Sequence, residues 1–248
     1  MKKSTQKILL ALYTDTGEVK RRVHLSNLQL LVPELSDGGF RSLLFVLRQQ
    51  GIIVTQKMLG VSSVSITHHG TVQLEAEFPA LSHQWDSWQG KWEILVFLDS
   101  PKFDNQFRYL RNLLISEGAL LISRGVYLCP GGFSQTIQNE YEDRYRSHVL
   151  VFSVDTWKSV AESIFVTEKY GLLDVAESYS GISREVDRLI NTCVSKKGLI
   201  NRSKIDINLV YDRIRVILLE DPGFCTFYYS EVPHIKKSLL RLNSLISI

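Results

Sequence analysis

The apolar residues Phe40, Leu43, Leu44 and Leu47 recur at i, i+3, i+4 and i+7, the spacing of a helix buried along one stripe. Ser36 or Asp37 can cap its start and Gly51 closes it, so the ends are specified as well as the face. Arg41, Phe45 and Arg48 then share one flank, while Ser42 and Gln49 point away from the core. A helix with one apolar and one cationic, polar side must sit at the surface of a small packed domain.

The flanking residues supply that domain. Ser4 precedes Ile8, Leu9, Leu12 and Tyr13, one face of a first helix that Asp15-Thr16-Gly17 ends. A short second helix is predicted from Leu25 to Val32, with Ser26 able to cap it and Pro33 stopping it. After Gly51, Ile52–Lys57 and Ser63–Ile66 read as two strands joined by a turn at Leu59-Gly60. Thr67, with Gly70 nearby, opens a last helix through Leu74. Three helices and a hairpin over residues 1–83 describe a winged helix-turn-helix. Such a module lays its third helix in the DNA major groove and its hairpin against the backbone. On this reading Arg41, Ser42 and Gln49 reach base edges, and Arg48, Lys57 and the loop triplet Lys20, Arg21 and Arg22 neutralise phosphates. The same elements also suit a protein-docking scaffold with solvated arginines, and the pattern leaves that alternative open.

Charge agrees with the nucleic-acid reading without requiring it. The net charge of +3 is uneven: residues 1–70 carry nine Lys/Arg against four Asp/Glu, whereas residues 71–155 carry seven against eleven.

Residues 84–154 form a second expected domain. Trp85, Trp88 and Trp92 lie close together around Gly90, an arrangement that points to packing rather than base stacking. Trp92–Leu98 is a strand of β-formers, followed by a helix from Asp104 to Glu117 with Phe107, Leu110, Leu113 and Leu114 inward. Ala119–Ile122 and Gly125–Leu128 read as a hairpin stopped by Pro130, Phe133–Glu142 as a helix, and His148–Val154 as a final strand. The order β-α-β-β-α-β is ferredoxin-like. Residues 155–248 read as helices: one capped by Asp155, one capped by Ser183, and one from Asp206 to Leu219 stopped by Asp221-Pro222. The expected class is α+β: a winged helix, a central ferredoxin-like domain and a helical C-terminal region.

Trp92–Asp99, Arg108 and Arg111 in a helix ending at Gly118, and Gly125-Val126-Tyr127-Leu128-Cys129-Pro130 resemble the middle domain of PaaX-type transcriptional repressors. Arg41, Leu47, Gly51 and the Thr67-x-x-Gly70 ending are similar to that family's third helix, wing and exit. The resemblance covers about residues 1–154 and departs at Gly60-Val61 and Ser65-Ile66. It implies a homodimeric repressor on a two-fold-symmetric operator. It also implies a small-molecule effector, but Gly223–Val232 replaces the family's following segment, so no effector identity or binding residue is carried over. The middle domain is further similar to the small CRISPR adaptation nuclease subunit, whose strand-end aspartate corresponds to Asp99. The alternative that follows is a nuclease holding magnesium through paired Asp99 carboxylates; the plainer reading is an aspartate capping the Ser100-Pro101 turn.

Other chemistry is not suggested by the residues. There is no Gly-x-Ser-x-Gly, no Gly-x-x-x-x-Gly-Lys-Ser/Thr and no His-Glu-x-x-His. His68 and His69 are adjacent, so they face different sides of a helix and make poor joint metal ligands. Cys129, Cys193 and Cys225 are odd in number and widely spaced, which argues against a disulfide framework. No apolar run reaches the length of a membrane span, and Met1-Lys2-Lys3 lacks the apolar stretch of a secretory leader. The expectation is therefore a reduced, cytoplasmic protein that binds double-stranded DNA, without resident cofactor, catalysis or membrane contact.

Overall fold

Every residue from Ile8 to Tyr13 is fully buried, which a helix lying on one side of a small domain cannot achieve. The computed structural model describes residues 1–15, 21–58, 61–98, 105–154, 156–157, 162–195 and 200–246. Residues 1–85 and 166–248 group into one compact unit and residues 86–165 into another. The chain is mixed helix and antiparallel sheet, so the α+β class holds.

In the first unit, α1 (Lys3–Leu12) leads to β1 (Val23–His24), α2 (Leu25–Gln29), α3 (Asp37–Gln49), β2 (Ile53–Met58), β3 (Val61–Ile66) and α4 (His68–Glu77). The second helix stops three residues earlier than expected. Leu31 and Val32 are buried in the turn that follows, and the backbone N–H of Leu35 bonds to the Val32 carbonyl at 3.0 Å. The expected two-stranded hairpin gains a third strand, in the order β1-β3-β2, because Val23 pairs with Val64 and His24 with Ser63.

The same unit continues through α7 (Glu162–Tyr170), α8 (Leu172–Ser195), α9 (Ile200–Glu220), α10 (Cys225–Tyr228) and α11 (Ile235–Ser244), α7 being shared at its start with the second unit. Here α9 and α11 cover the side of α1 that the sequence left open. Lys7, itself almost wholly buried, donates to the Asn208 side chain and lies 3.4 Å from Asp212 in α9. Desolvation lowers the Lys7 pKa, and the Asp212 carboxylate opposes that shift. Ser183 does not cap a helix: it lies inside α8, whose stripe Leu172, Val175, Tyr179, Ile182, Val186, Leu189 runs straight past it. Of the helix expected from Asp155, Thr156 and Trp157 are not helical, and Asp155 and residues 158–161 lie outside the described residues. Asp221 does stop α9, through its buried carboxylate, which accepts from the backbone N–H of Gly223 at 2.7 Å and from the Tyr179 hydroxyl.

The second unit runs β4 (Trp92–Phe97), α5 (Asn105–Ser116), β5 (Leu120–Ser123), β6 (Val126–Pro130), α6 (Gln135–Arg144) and β7 (Val149–Val154). Its sheet has the order β5-β6-β4-β7, with all neighbours antiparallel. Leu95, Phe97, Tyr127 and Cys129 on one sheet face pack against Leu110 and Leu114 of α5 and Ile137 of α6. Phe97 meets Phe107 edge-on at 4.8 Å and Tyr145 at 5.8 Å. Pro130 ends β6 rather than stopping the chain before it, paired with Trp92 where a lost N–H matters least. The tryptophans pack within their own units: Trp85 on Phe224 and Trp88 on Trp92, each pair 5.4 Å apart. Among the described residues no helix is long and apolar enough to cross a membrane.

Candidate nucleic-acid interface

The helix α3 is fixed at both ends. Ser36 Oγ accepts from the Gly39 N–H at 3.2 Å, satisfying one of the free donors of the first turn. At the other end Gly51 takes φ +69, and Thr67 Oγ1 donates to the carbonyls of Gly51 at 2.6 Å and Ile52 at 3.0 Å. Thr67 Oγ1 also accepts from the Gly70 N–H at 3.0 Å, so one side chain ties the exit of α3 to the start of α4. A Cβ on Gly70 would meet the Ile52 carbonyl oxygen at 2.2 Å, which is why only glycine allows this approach. The Thr67-x-x-Gly70 feature is thus a clamp that sets the angle of α3 against the sheet.

Phe40, Leu44 and Leu47 are buried and Leu43 is half-buried, which leaves Arg41, Ser42, Arg48 and Gln49 exposed together on the other side. Arg41 Nε donates to the Asp37 carbonyl at 3.2 Å, which uses one of its five donors and steadies the terminal fork. Neither Arg41 nor Arg48 forms an ion pair with a described residue. Lys57 is exposed on β2, opposite Ser62. These five side chains therefore present cationic and polar groups from α3 and the adjoining hairpin.

The loop triplet is divided. Lys20 lies outside the described residues. Arg22 is exposed immediately before β1, whereas Arg21 is half-buried, with Nε and Nη2 shielded from solvent. Its charge lies close enough to the buried Tyr211 phenol to lower that group's pKa against the larger upward push of desolvation. Arg21 serves the interior of its unit more than its surface. Asp99 also lies outside the described residues. Among the described residues, no three His, Cys, Asp or Glu side chains gather closely enough to hold a metal ion. His68 and His69 are both exposed at the start of α4, where His69 Nε2 lies 3.1 Å from Gln73 Nε2.

Two exposed apolar residues on α3, Phe45 and Val46, are outside the roles expected from the sequence, and Val46 is 48% exposed. Phe45 is 54% exposed and the Arg48 guanidinium stands 5.7 Å from its ring centroid.

No family model matches the chain, and no curated protein does. A solved structure of the uncharacterized protein Rv0674 from Mycobacterium tuberculosis is similar over 96% of each chain, at 14% identity and a TM-score of 0.46.

Proposed function

We propose that the chain is a sequence-specific DNA-binding transcriptional repressor of the PaaX type, a homodimer that grips a two-fold-symmetric operator with paired winged helices. The observation that carries this reading is α3: its apolar stripe is buried, and Arg41, Ser42, Arg48 and Gln49 stand exposed together with no ion pair to a described residue. That is the chemistry a helix needs for hydrogen bonds to base edges and charge contacts to phosphates. The order α1, β1, α2, α3, β2, β3 supports treating β2 and β3 as the wing, with Lys57 at the backbone.

The β-α-β-β-α-β unit, read as ferredoxin-like, supports the dimer. One of its edge strands, β5, carries a register irregularity at Leu121/Ser123, the kind of device that blocks edge pairing. The opposite edge, β7, pairs in unbroken register with β4 and exposes Leu150, Val151 and Phe152. Two such edges brought together would fix the spacing of the half-sites. A repressor works on the chromosome, so the cytoplasm is the proposed location, and no effector residue is assigned.

The test is selection of binding sites from random duplex DNA by the full chain. A repeated, inverted sequence with a constant half-site spacing is the expected result. Failure to enrich any sequence, with binding equal on all duplexes, overturns the reading.

A further inference from the structure

We propose that Phe45 reads the 5-methyl group of a thymine in the major groove, between the base approached by Arg41 and the phosphate approached by Arg48. This rests on the DNA-binding reading of α3. A phenyl ring that is 54% exposed on a helix whose own stripe is already buried contributes little to folding. Its surroundings say what it can meet. Arg41, Phe45 and Arg48 follow at i, i+4 and i+7 along one line of the helix, with Ser42 and Gln49 exposed beside them. The Arg48 guanidinium lies 5.7 Å from the ring centroid, within cation–π reach, so ring and cation form one unit.

A partner for this line must be anionic overall and offer one apolar point within a polar surface. A hydrophobic protein face fits poorly, because docking it would bury Arg41 and Arg48 without a counter-charge. The major groove fits: a base edge answers Arg41, a phosphate answers Arg48, and the thymine methyl is the apolar group among the hydrogen-bonding edges of the base pairs. From residue 41 to residue 48 the helix rises about 10.5 Å, or about three base-pair steps. The central side chain is therefore at the right level for a base flanked by arginine contacts.

The experiment replaces each thymine of the selected site in turn with deoxyuridine, which removes only the methyl group. Affinity is measured for the wild type and for Phe45→Ala, whose folding is checked by its thermal midpoint. The wild type should lose about four-fold per half-site at one thymine position, the effect of one methyl withdrawn from an apolar contact. The variant should bind thymine and uracil equally there while keeping its preference elsewhere. A wild type that selects a sequence yet ignores uracil at every position overturns the proposal and leaves the repressor reading standing. So does a Phe45→Ala protein that still discriminates at the sensitive thymine, or one whose defect is lost self-association. If no sequence is selected at all, the repressor reading falls and takes this proposal with it.

Discussion

Asn243 in α11 donates from its side-chain amide to the backbone carbonyl of Leu10 in α1, 3.0 Å away and 233 residues distant along the chain. The second amide proton goes to the Tyr13 carbonyl at 3.1 Å, and the side-chain oxygen accepts from the Tyr211 hydroxyl in α9. One buried side chain thus gives the Leu10 carbonyl a second donor beside the Tyr13 N–H, supplies one to the Tyr13 carbonyl, and joins the first helix to two of the last. This contact joins the first and last segments of the chain alongside the apolar packing of α1 with α9 and α11.

Replacing Asn243 by Ala should take the donor from the Tyr13 carbonyl and the acceptor from the buried Tyr211 hydroxyl, while the Leu10 carbonyl keeps its bond from the Tyr13 N–H. At about 1–3 kcal/mol for each of these two groups, the loss should be at least about 2 kcal/mol. For a chain of this size that is a drop of about 4–8 °C or more in thermal midpoint. A loss below about 1 kcal/mol would mean that water or repacking replaces the amide.

Arg41 steadies its fork on the Asp37 carbonyl, which suits it to the bidentate contact guanine accepts. Arg41→Ala should cost about 1–3 kcal/mol on the selected site and relax base preference at one position per half-site. Equal loss on selected and random duplex would make it a phosphate contact instead.

The loop arginines should separate by their burial. Neutralising the exposed Arg22 or Lys57 should flatten the dependence of log K on log salt by about one unit each. Arg21→Ala should lower the thermal midpoint and leave the salt slope unchanged, since its guanidinium is shielded beside Tyr211. A changed slope in Arg21→Ala with unchanged stability would reverse that assignment.

The parts legible in the sequence are those whose partners are close along the chain. The stripe Phe40, Leu44, Leu47 and its Ser36 cap are local, so the outward placing of Arg41, Ser42, Arg48 and Gln49 followed from helical period alone. The strands of the second unit were legible for the same reason, to within about two residues at their ends. Burial of α1 on all sides was not legible, because Asn243 and Asn208 sit more than two hundred and exactly two hundred and one positions further on for Leu10 and Lys7. Ser183 misled because Ser178, Ser180 and Gly181 resemble a break, while the apolar residues on the opposite side of α8 keep their period through it. Arg21 looked like its neighbour Arg22, and only Tyr211 tells them apart.

Burial raises the Asp221 carboxyl above its ordinary 3.8, against the hydrogen bonds from Tyr179, Gly223 and Cys225, which lower it. A carboxyl raised in the folded state holds its proton more tightly there than in the unfolded chain. Its contribution to stability is full below the unfolded value and is lost as pH rises from about 4 through the raised folded value. Asp221→Asn removes the titration, and the Tyr179 oxygen can accept from the new amide. The stability of the variant relative to wild type should therefore rise across that window in urea melts taken at several pH values. Parallel curves would show that Asp221 titrates alike in both states.

The proposed dimer places its burden on β7. Val151 is 38% exposed and Phe152 50% exposed on a strand that hydrogen-bonds within the sheet to β4 alone. A charge on such an edge opposes pairing with a second copy, because two like charges would be brought together and desolvated. Val151→Lys should therefore sediment as a monomer at concentrations where the wild type is a dimer. Its thermal midpoint at low concentration should change little, since the position is already in contact with water. On the inverted site the variant should bind each half with the weak affinity of a single winged helix, and lengthening the spacer should no longer matter to it. A Val151→Lys protein that remains a dimer would move the subunit contact away from the β7 edge, and the half-site spacing would then need another origin.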